Sequence, residues 1–103
     1  MIITERNMAK VTILYWDNIP SLVEARDSQG VHKQELDQKF QQLIDLVAMK
    51  KKLYGSDEYL MQWRKCRPYE VEGSAEQAAA SVKEEIEAKY DEISKTELAK
   101  VAR

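Results

Sequence analysis

The stretch AKVTILYW, residues 9–16, decides the fold that this sequence predicts. It is rich in β-branched and aromatic residues, and its apolar side chains lie on both faces of an extended chain, with Val11, Ile13 and Tyr15 on one face and Trp16 on the other. This composition favours a pleated, buried conformation. We therefore predict a first strand here, in the centre of a sheet.

A hairpin is predicted directly after this strand. The residues DNIPS, 17–21, have turn chemistry, an extended pattern resumes over residues 22–26, and DSQG, 27–30, turns the chain again. Residues 31–36 are ambiguous, since they fit either a short edge strand or the approach to a helix.

The main core helix is expected from Asp37, a suitable N-cap, to Tyr54, because apolar residues recur at helical spacing from Phe40 onward. Gly55 stands where a helix C-terminus favours a left-handed residue. Ser56 is expected to cap a second, short helix that runs through residue 63.

The last strand and the last helix are predicted around Gly73. Residues 69–72 alternate as a strand does, and the segment SAEQ, 74–77, matches a capping box. The apolar stripe of the following helix should lie on the sheet or on a partner, and it consists of Ala78, Val82, Ile86, Tyr90 and Ile93.

This order of elements predicts an α+β domain. We expect a small, mostly antiparallel or mixed sheet of three to four strands with two main helices and one short helix. Residues 1–8 are expected to be a flexible extension, residues 9–93 a single domain, and residues 94–103 a tail or an extension of the last helix.

The bulk composition is that of one globular domain. The chain has 103 residues, 44% of them hydrophobic and 33% charged, with a net charge of −2. The N-terminus lacks the apolar core of a signal peptide, and no window has the roughly 20 apolar residues that a membrane helix needs. We therefore expect a cytoplasmic protein that is neither membrane-bound nor a general nucleic-acid binder.

Cys66 is the strongest candidate for a chemically reactive side chain. It is the single cysteine, which excludes an internal disulfide, and it stands among Arg64, Lys65 and Arg67, whose charges would favour a reactive thiolate. An ordinary half-buried thiol at a helix end is the alternative. A Cys–His pair would require His32, the only histidine, to meet Cys66 in space, and the spacing does not indicate that it does.

Two segments carry the remaining candidates for binding. Residues 50–67 have six basic side chains against Asp57 and Glu58, with aromatic residues between them, and could hold a phosphate-bearing ligand, a small nucleic-acid footprint or an acidic protein surface. The alternative is a solvated helix end. The turn after Trp16 could equally be a binding loop or purely structural. The binding residues that we predict are Trp16, Asp17, Asn18, Tyr59, Trp63, Arg64, Cys66 and Arg67.

The sequence resembles the virulence factor domain family of small bacterial proteins. The resemblance covers about residues 9–72 and rests on KVTILYWDNIP (10–20), the helix containing Ala48 and Met49, and the stretch GSDEYLMQWR (55–64). Related domains look like parts of larger proteins with an iron–sulfur scaffold-like domain and helical repeats. The resemblance therefore implies an accessory or protein-interaction role.

No glycine-rich phosphate loop, Ser-His-Asp set or HExxH motif occurs in the sequence, so a self-sufficient enzyme is not expected, and neither a cofactor nor a metal is predicted. We expect a non-catalytic binding or accessory protein for another protein or an enzyme complex. The alternative is a small thiol-dependent or cofactor-handling enzyme subunit that uses Cys66. A homodimer through the stripe of the last helix is compatible with either.

Overall fold

The computed structural model describes residues 8–53 and 55–102. The expected flexible extension lies outside the described residues except for Met8, which is the first residue of a strand. Tyr54, the expected end of the main helix, also lies outside them. The elements in chain order are β1 (Met8–Trp16), β2 (Ile19–Asp27), β3 (Gly30–Glu35), α1 (Gln38–Lys50), α2 (Asp57–Met61), β4 (Trp63–Lys65), β5 (Tyr69–Glu72), α3 (Ala75–Ala88) and α4 (Tyr90–Val101).

The chain is an α+β domain with one antiparallel sheet. The strands lie in the order β3-β2-β1-β4, and β5 pairs with the other half of β1 on the same side as β4. The prediction of class was confirmed. The predicted numbers of strands and helices were too low, because the described residues contain five strands and four helices.

Strand β1 is central, as its sequence predicted. Its residues Ala9, Val11 and Ile13 are buried and share a face with Val23 and Ala25 of β2. Helix α3 packs on this part of the sheet and contacts β1, β2 and β3. The buried residues of α3 are small and allow close approach of helix to sheet: Ala75, Ala78, Ala79 and Val82.

The ambiguous and misread segments were decided by pairing with neighbours. Residues 31–36 contribute an edge strand, β3, which pairs with β2. The short helix ends at Met61, and Trp63, which had been expected inside that helix, begins β4. A strand of three residues has almost no sequence pattern of its own, so only its pairing with β1 reveals it.

The helix ends are partly as predicted. Asp37 caps α1, Ser56 caps α2, and Ser74 and Gln77 form the capping box of α3. Helix α1, however, ends at Lys50, and the left-handed residue after it is Lys52, with a φ of 60°. The amides of Lys52 and Leu53 donate to the carbonyls of Met49 and Ala48, which is the double hydrogen bond of a Schellman motif.

The last predicted helix is two helices. The first part of its apolar stripe lies on the chain's own sheet, where Ala78 and Val82 are buried. The helical geometry then breaks at Lys89. Helix α4 then packs against α1, where Tyr90 meets Phe40 edge-on at 5.0 Å between ring centroids. Residues 94–101 continue as helix, with Leu98 and Val101 packed against the core. Of the helices described over residues 8–53 and 55–102, none is long and apolar enough to cross a membrane.

Candidate functional site

Pairing of β1 with β4 brings the two candidate segments together. Trp16 lies opposite Trp63, and Tyr15 lies opposite Arg64, so the turn after β1 adjoins the segment that leads from α2 into β4. The paired residues lie 47 and 49 positions apart in the chain. Only the sheet therefore makes them a single region.

Trp16 is a core residue of this region. Its side chain is fully buried, its indole Nε1 donates to the Tyr59 carbonyl at 2.9 Å, and its ring lies 5.4 Å from the Tyr59 ring. The Tyr59 ring in turn meets Trp63 edge-on at 6.4 Å. These three predicted site residues thus form an aromatic cluster that fixes α2 against the end of β1, and Trp16 has no surface of its own for a ligand.

The turn Asp17-Asn18 is held by hydrogen bonds from both sides. Asp17 has a left-handed φ of 56°, and its amide donates to the Gln62 carbonyl at 2.9 Å. Lys51, at the end of α1, donates to the Asp17 carboxylate at 2.9 Å. Arg64 donates from Nε to the Asp17 carbonyl at 3.1 Å and from Nη2 to the Asn18 amide oxygen at 3.3 Å. The turn is consequently held in one geometry, while the side chains of Asn18 and Arg64 remain exposed.

Arg64 also covers Tyr15, with its guanidinium carbon 4.9 Å from the centre of the ring. Burial raises the pKa of the Tyr15 hydroxyl above its ordinary value, Cys66 raises it further, and Arg64 opposes the shift. Burial is also the main cause that raises the pKa of Tyr69, with Cys66 next. A tyrosine hydroxyl is already protonated at neutral pH, and both upward shifts of the pKa make ionisation of these two phenols still less favourable.

Cys66 lies in the gap between β4 and β5, both of which pair with β1. Its amide donates to the Ile13 carbonyl at 3.0 Å, and the Ile13 amide donates to the Cys66 Sγ at 3.2 Å. The thiol thus stands where the carbonyl of a continuous strand would accept this bond. It is half-buried, whereas the neighbouring Arg67 is exposed. This geometry gives Cys66 a role in maintaining the sheet across the gap.

His32 does not meet Cys66. It lies on β3, at the opposite edge of the sheet, with β2 and β1 between. Three strand spacings of about 4.8 Å separate the two by about 14 Å. The His32 ring instead contacts the amide of Gln34 at 3.2 Å from Nε2. The structure therefore offers the thiol no imidazole base.

The basic concentration is partly neutralised within the chain. Lys51 pairs with Asp17, and Lys65 lies 3.9 Å from Glu24 on β2. Arg64 is engaged by the turn. These cations thus have structural partners, although Arg64, Lys65 and Arg67 keep much of their surface exposed.

Several features of the region were missed at the level of sequence. Lys51 had been counted only among the six basic side chains of residues 50–67, and the Gln62 carbonyl had not been named, because their roles depend on the folded position of Asp17. A cavity of about 570 Å³ lies elsewhere, between β1, β2 and the start of α1. It opens beside Ser21, where the β1–β2 register shifts. No pattern in the sequence indicated this cavity. No group of three or more metal-ligating side chains occurs among residues 8–53 and 55–102.

Comparison with known proteins places the chain in a family. The family model described as Virulence factor matches residues 14–99, which adds α3 and nearly all of α4 to a resemblance first seen over about residues 9–72. No curated protein matches the chain, and no solved structure does. Since the match covers most of the chain, this protein belongs to the Virulence factor family.

Proposed function

We propose that this chain is a non-catalytic binding or accessory protein of the bacterial cytoplasm that engages another protein or an enzyme complex. The observation that carries the proposal is the joining of residues 16–20 to residues 59–67 by the β1–β4 pairing. Both segments overlap stretches on which the family resemblance rests, residues 10–20 and 55–64. A region assembled from both is the natural place for a partner to bind.

The proposed binding surface consists of Asn18, Arg64 and Arg67, and we call it the turn surface. All three side chains are exposed. Trp16, which is buried, and Trp63, which is half-buried, lie next to Asn18 and Arg64 where β1 pairs with β4, and provide an aromatic support there. The residues predicted from sequence thus divide into those that support the surface and those that form it.

Rigidity of the turn supports a binding role. Lys51, Arg64 and the Gln62 carbonyl hold Asp17 before any partner arrives. A surface that is already ordered loses less conformational entropy on association, which leaves more of the contact energy for affinity. Arg64 offers a planar guanidinium beside an amide, a combination that suits carboxylates and main-chain carbonyls of a partner.

The test is site-specific photo-crosslinking in the native cell. A benzoylphenylalanine is placed at Asn18 or at Arg67, and in a matched control at Ala80, which is exposed on α3. We expect a discrete cross-linked species of defined mass from both turn-surface positions and none from Ala80. Cross-linking that is absent from the turn surface, or equal at Ala80, would contradict the proposal.

Arg64→Ala is the accompanying substitution. It removes an exposed guanidinium together with two hydrogen bonds to the turn, and it should abolish the cross-link from Asn18. Circular dichroism and thermal unfolding of the variant check that the fold persists. Arg26→Ala removes an exposed guanidinium from β2 and serves as its control, because it should leave the cross-link intact.

A further inference from the structure

The guanidinium group of Arg64 is held in one orientation by the chain itself. Its Nε donates to the Asp17 carbonyl at 3.1 Å, and its Nη2 donates to the Asn18 amide oxygen at 3.3 Å. In the fork geometry of arginine these two N–H groups lie on the same edge of the plane. The Tyr15 ring lies against the plane, with its centre 4.9 Å from the guanidinium carbon. One edge and one face of the group are therefore occupied.

The outer edge of the same guanidinium is left for a ligand. It consists of Nη1 and of the second N–H of Nη2, which point outward in parallel. Over residues 8–53 and 55–102, Arg64 makes no ion pair and no side-chain hydrogen bond besides the two to the turn, and its side chain is exposed. Two parallel N–H groups match the two oxygens of a carboxylate.

Asn18 adds donors beside this edge. Its amide oxygen accepts from Arg64, so its Nδ2 keeps both N–H groups, and the side chain is exposed. The two acceptors next to the guanidinium, the Asp17 carbonyl and the Asn18 oxygen, are already used by Arg64. The groups that remain on these two exposed side chains are donors. A partner must therefore supply the acceptors.

The local charge favours carboxylates over neutral carbonyls as those acceptors. Lys51 and Lys65 each lie within ion-pair distance of an acidic side chain. In the part of the chain that the structure describes, neither Arg64 nor Arg67 has such a partner. Two exposed guanidinium charges suit a short acidic segment. The net charge of −2 on the whole chain opposes a long polyanion such as a nucleic acid.

We propose that the turn surface binds an acidic segment of a partner protein, with one carboxylate held by the outer edge of the Arg64 guanidinium, beside the Asn18 amide nitrogen. This assignment rests on the proposed function, since it names the chemistry of the partner for the same surface. Because the turn and Tyr15 already order Arg64, little side-chain entropy is lost on binding. Exposed charges form the contact, so added salt should weaken it.

An NMR titration of the full chain with acetylated hexaglutamate at low ionic strength tests the assignment. We expect saturable shifts of the Arg64 Nε and Asn18 Nδ2 signals. Hexaglutamine, which offers carbonyls without charge, should cause no saturable shift at either position. Hexathymidylate serves as the probe for nucleic acid and should bind more weakly than hexaglutamate.

Three variants test the geometry. Asn18→Asp keeps an oxygen that accepts from Arg64 but replaces the donating nitrogen by a carboxylate oxygen, so it should weaken hexaglutamate binding by at least about fivefold. Arg64→Lys keeps the charge without the parallel N–H pair and should weaken binding by a similar factor. Gln38→Glu adds the same charge as Asn18→Asp at the first residue of α1, far from Lys51, and should change the affinity by less than about twofold. Thermal unfolding of each variant checks that the fold persists.

Four results would overturn the acidic partner. They are no saturable shift at Arg64, equal shifts with hexaglutamine, native affinity in Asn18→Asp, and tighter binding of hexathymidylate than of hexaglutamate. The cross-links in the cell from Asn18 and Arg67 report on the proposed function separately, because they do not depend on the peptide. Cross-links that persist while hexaglutamate fails to bind would remove the acidic partner alone, whereas their absence would remove the binding function itself.

Discussion

Asp27 is a turn residue that acts across the molecule. Its carboxylate accepts the amide of Ala75, at the start of α3, at 2.8 Å, and the amide of Gln29 within its own turn at 2.8 Å. These hydrogen bonds, the one from Ala75 first, lower the pKa of Asp27 below its ordinary value of 3.8. The turn between β2 and β3 therefore provides an N-terminal cap for a helix nearly 50 residues away.

This gives a prediction about acid stability. A carboxyl whose pKa is lower in the folded chain binds its proton more readily when unfolded, so its stabilisation is present above the ordinary pKa. It is lost as the pH falls through the lowered pKa. Asp27→Asn should be less stable than the native chain at neutral pH, and the difference should shrink below about pH 4. Urea unfolding at a series of pH values measures it, and a difference that stays constant down to pH 2 would contradict it.

Lys52 is a second residue whose backbone conformation affects the stability of the fold. It holds the left-handed position of the Schellman motif after α1, where a side chain costs about 1–2 kcal/mol and glycine avoids that cost. Lys52→Gly should therefore raise the free energy of unfolding by about 0.5–1 kcal/mol, after the larger loss of backbone entropy by glycine is counted.

A matched control for this change is Lys50→Gly. Lys50 is also exposed, but it is the last residue of α1 and has helical geometry. Glycine there should lower the free energy of unfolding by up to about 1 kcal/mol. Thermal unfolding of both variants checks the pair, and equal shifts in one direction would show that Lys52 is not strained.

At the scale of elements, helix α3 supports the start of α1. The Glu87 carboxylate accepts the backbone amide of Asp37, the N-cap of α1, at 2.7 Å, and the ammonium group of Lys83 at 2.7 Å. One side chain thus satisfies a helix terminus and an i,i+4 ion pair together. Together with Asp27 and Ala75, this contact means that the N-termini of the two long helices each receive a carboxylate from a distant element.

Glu87→Ala should lower the free energy of unfolding by about 1 kcal/mol, the typical net contribution of a hydrogen bond. Glu84→Ala, at an exposed position on the same helix, should change it by less than about 0.5 kcal/mol. Chemical denaturation of the two variants separates the contact with α1 from the general effect of removing an acidic residue from α3. Equal losses would assign the effect to the helix alone.

The break between α3 and α4 is also an effect of packing. No glycine or proline occurs near Lys89, and the apolar stripe continues through Ile86, Tyr90 and Ile93. The stripe alone predicts one helix. After Lys89, Tyr90 packs on Phe40 and lies 4.6 Å beneath the ammonium group of Lys39. The break directs α4 onto α1, and these contacts compensate for the lost helical regularity.

For the whole molecule, the main expectation is that the fold does not survive the removal of α3. It covers Ala9, Val11, Val23 and Ala25, which are at most 1% exposed in the complete structure. A chain truncated after Gly73 would leave this face of the sheet in water. Of the predicted apolar stripe, Ala78 and Val82 are buried in this core, whereas Ile86, Tyr90 and Ile93 are half-buried.

The truncated chain should therefore show no cooperative unfolding transition and no near-ultraviolet circular dichroism from its tryptophans. A chain shortened only to Val101 keeps every element and should unfold as the complete chain does. Thermal scans of the two shortened chains decide the matter. A cooperative transition in the chain that ends at Gly73 would show that the sheet and α1 form a core without α3.

The sequence by itself determined the features that depend on a few neighbouring residues. These are the central strand over residues 9–16, the hairpin after it, strand β5, and the helix caps at Asp37, Ser56 and Ser74. Each rests on local composition, or on a hydrogen bond that spans three residues or fewer, and so does not require the rest of the chain. The α+β class follows from the order of these elements.

Only the tertiary structure decided the strand β4, the burial of Trp16 and the roles of Lys51 and Arg64 at the turn. Strand β4 is too short to have a pattern and exists because β1 supplies its hydrogen bonds. Trp16 is buried because α2 packs over the end of β1, which an alternating strand pattern cannot show. The separation of His32 from Cys66 depends in the same way on strand order, a property of contacts between residues far apart in the chain.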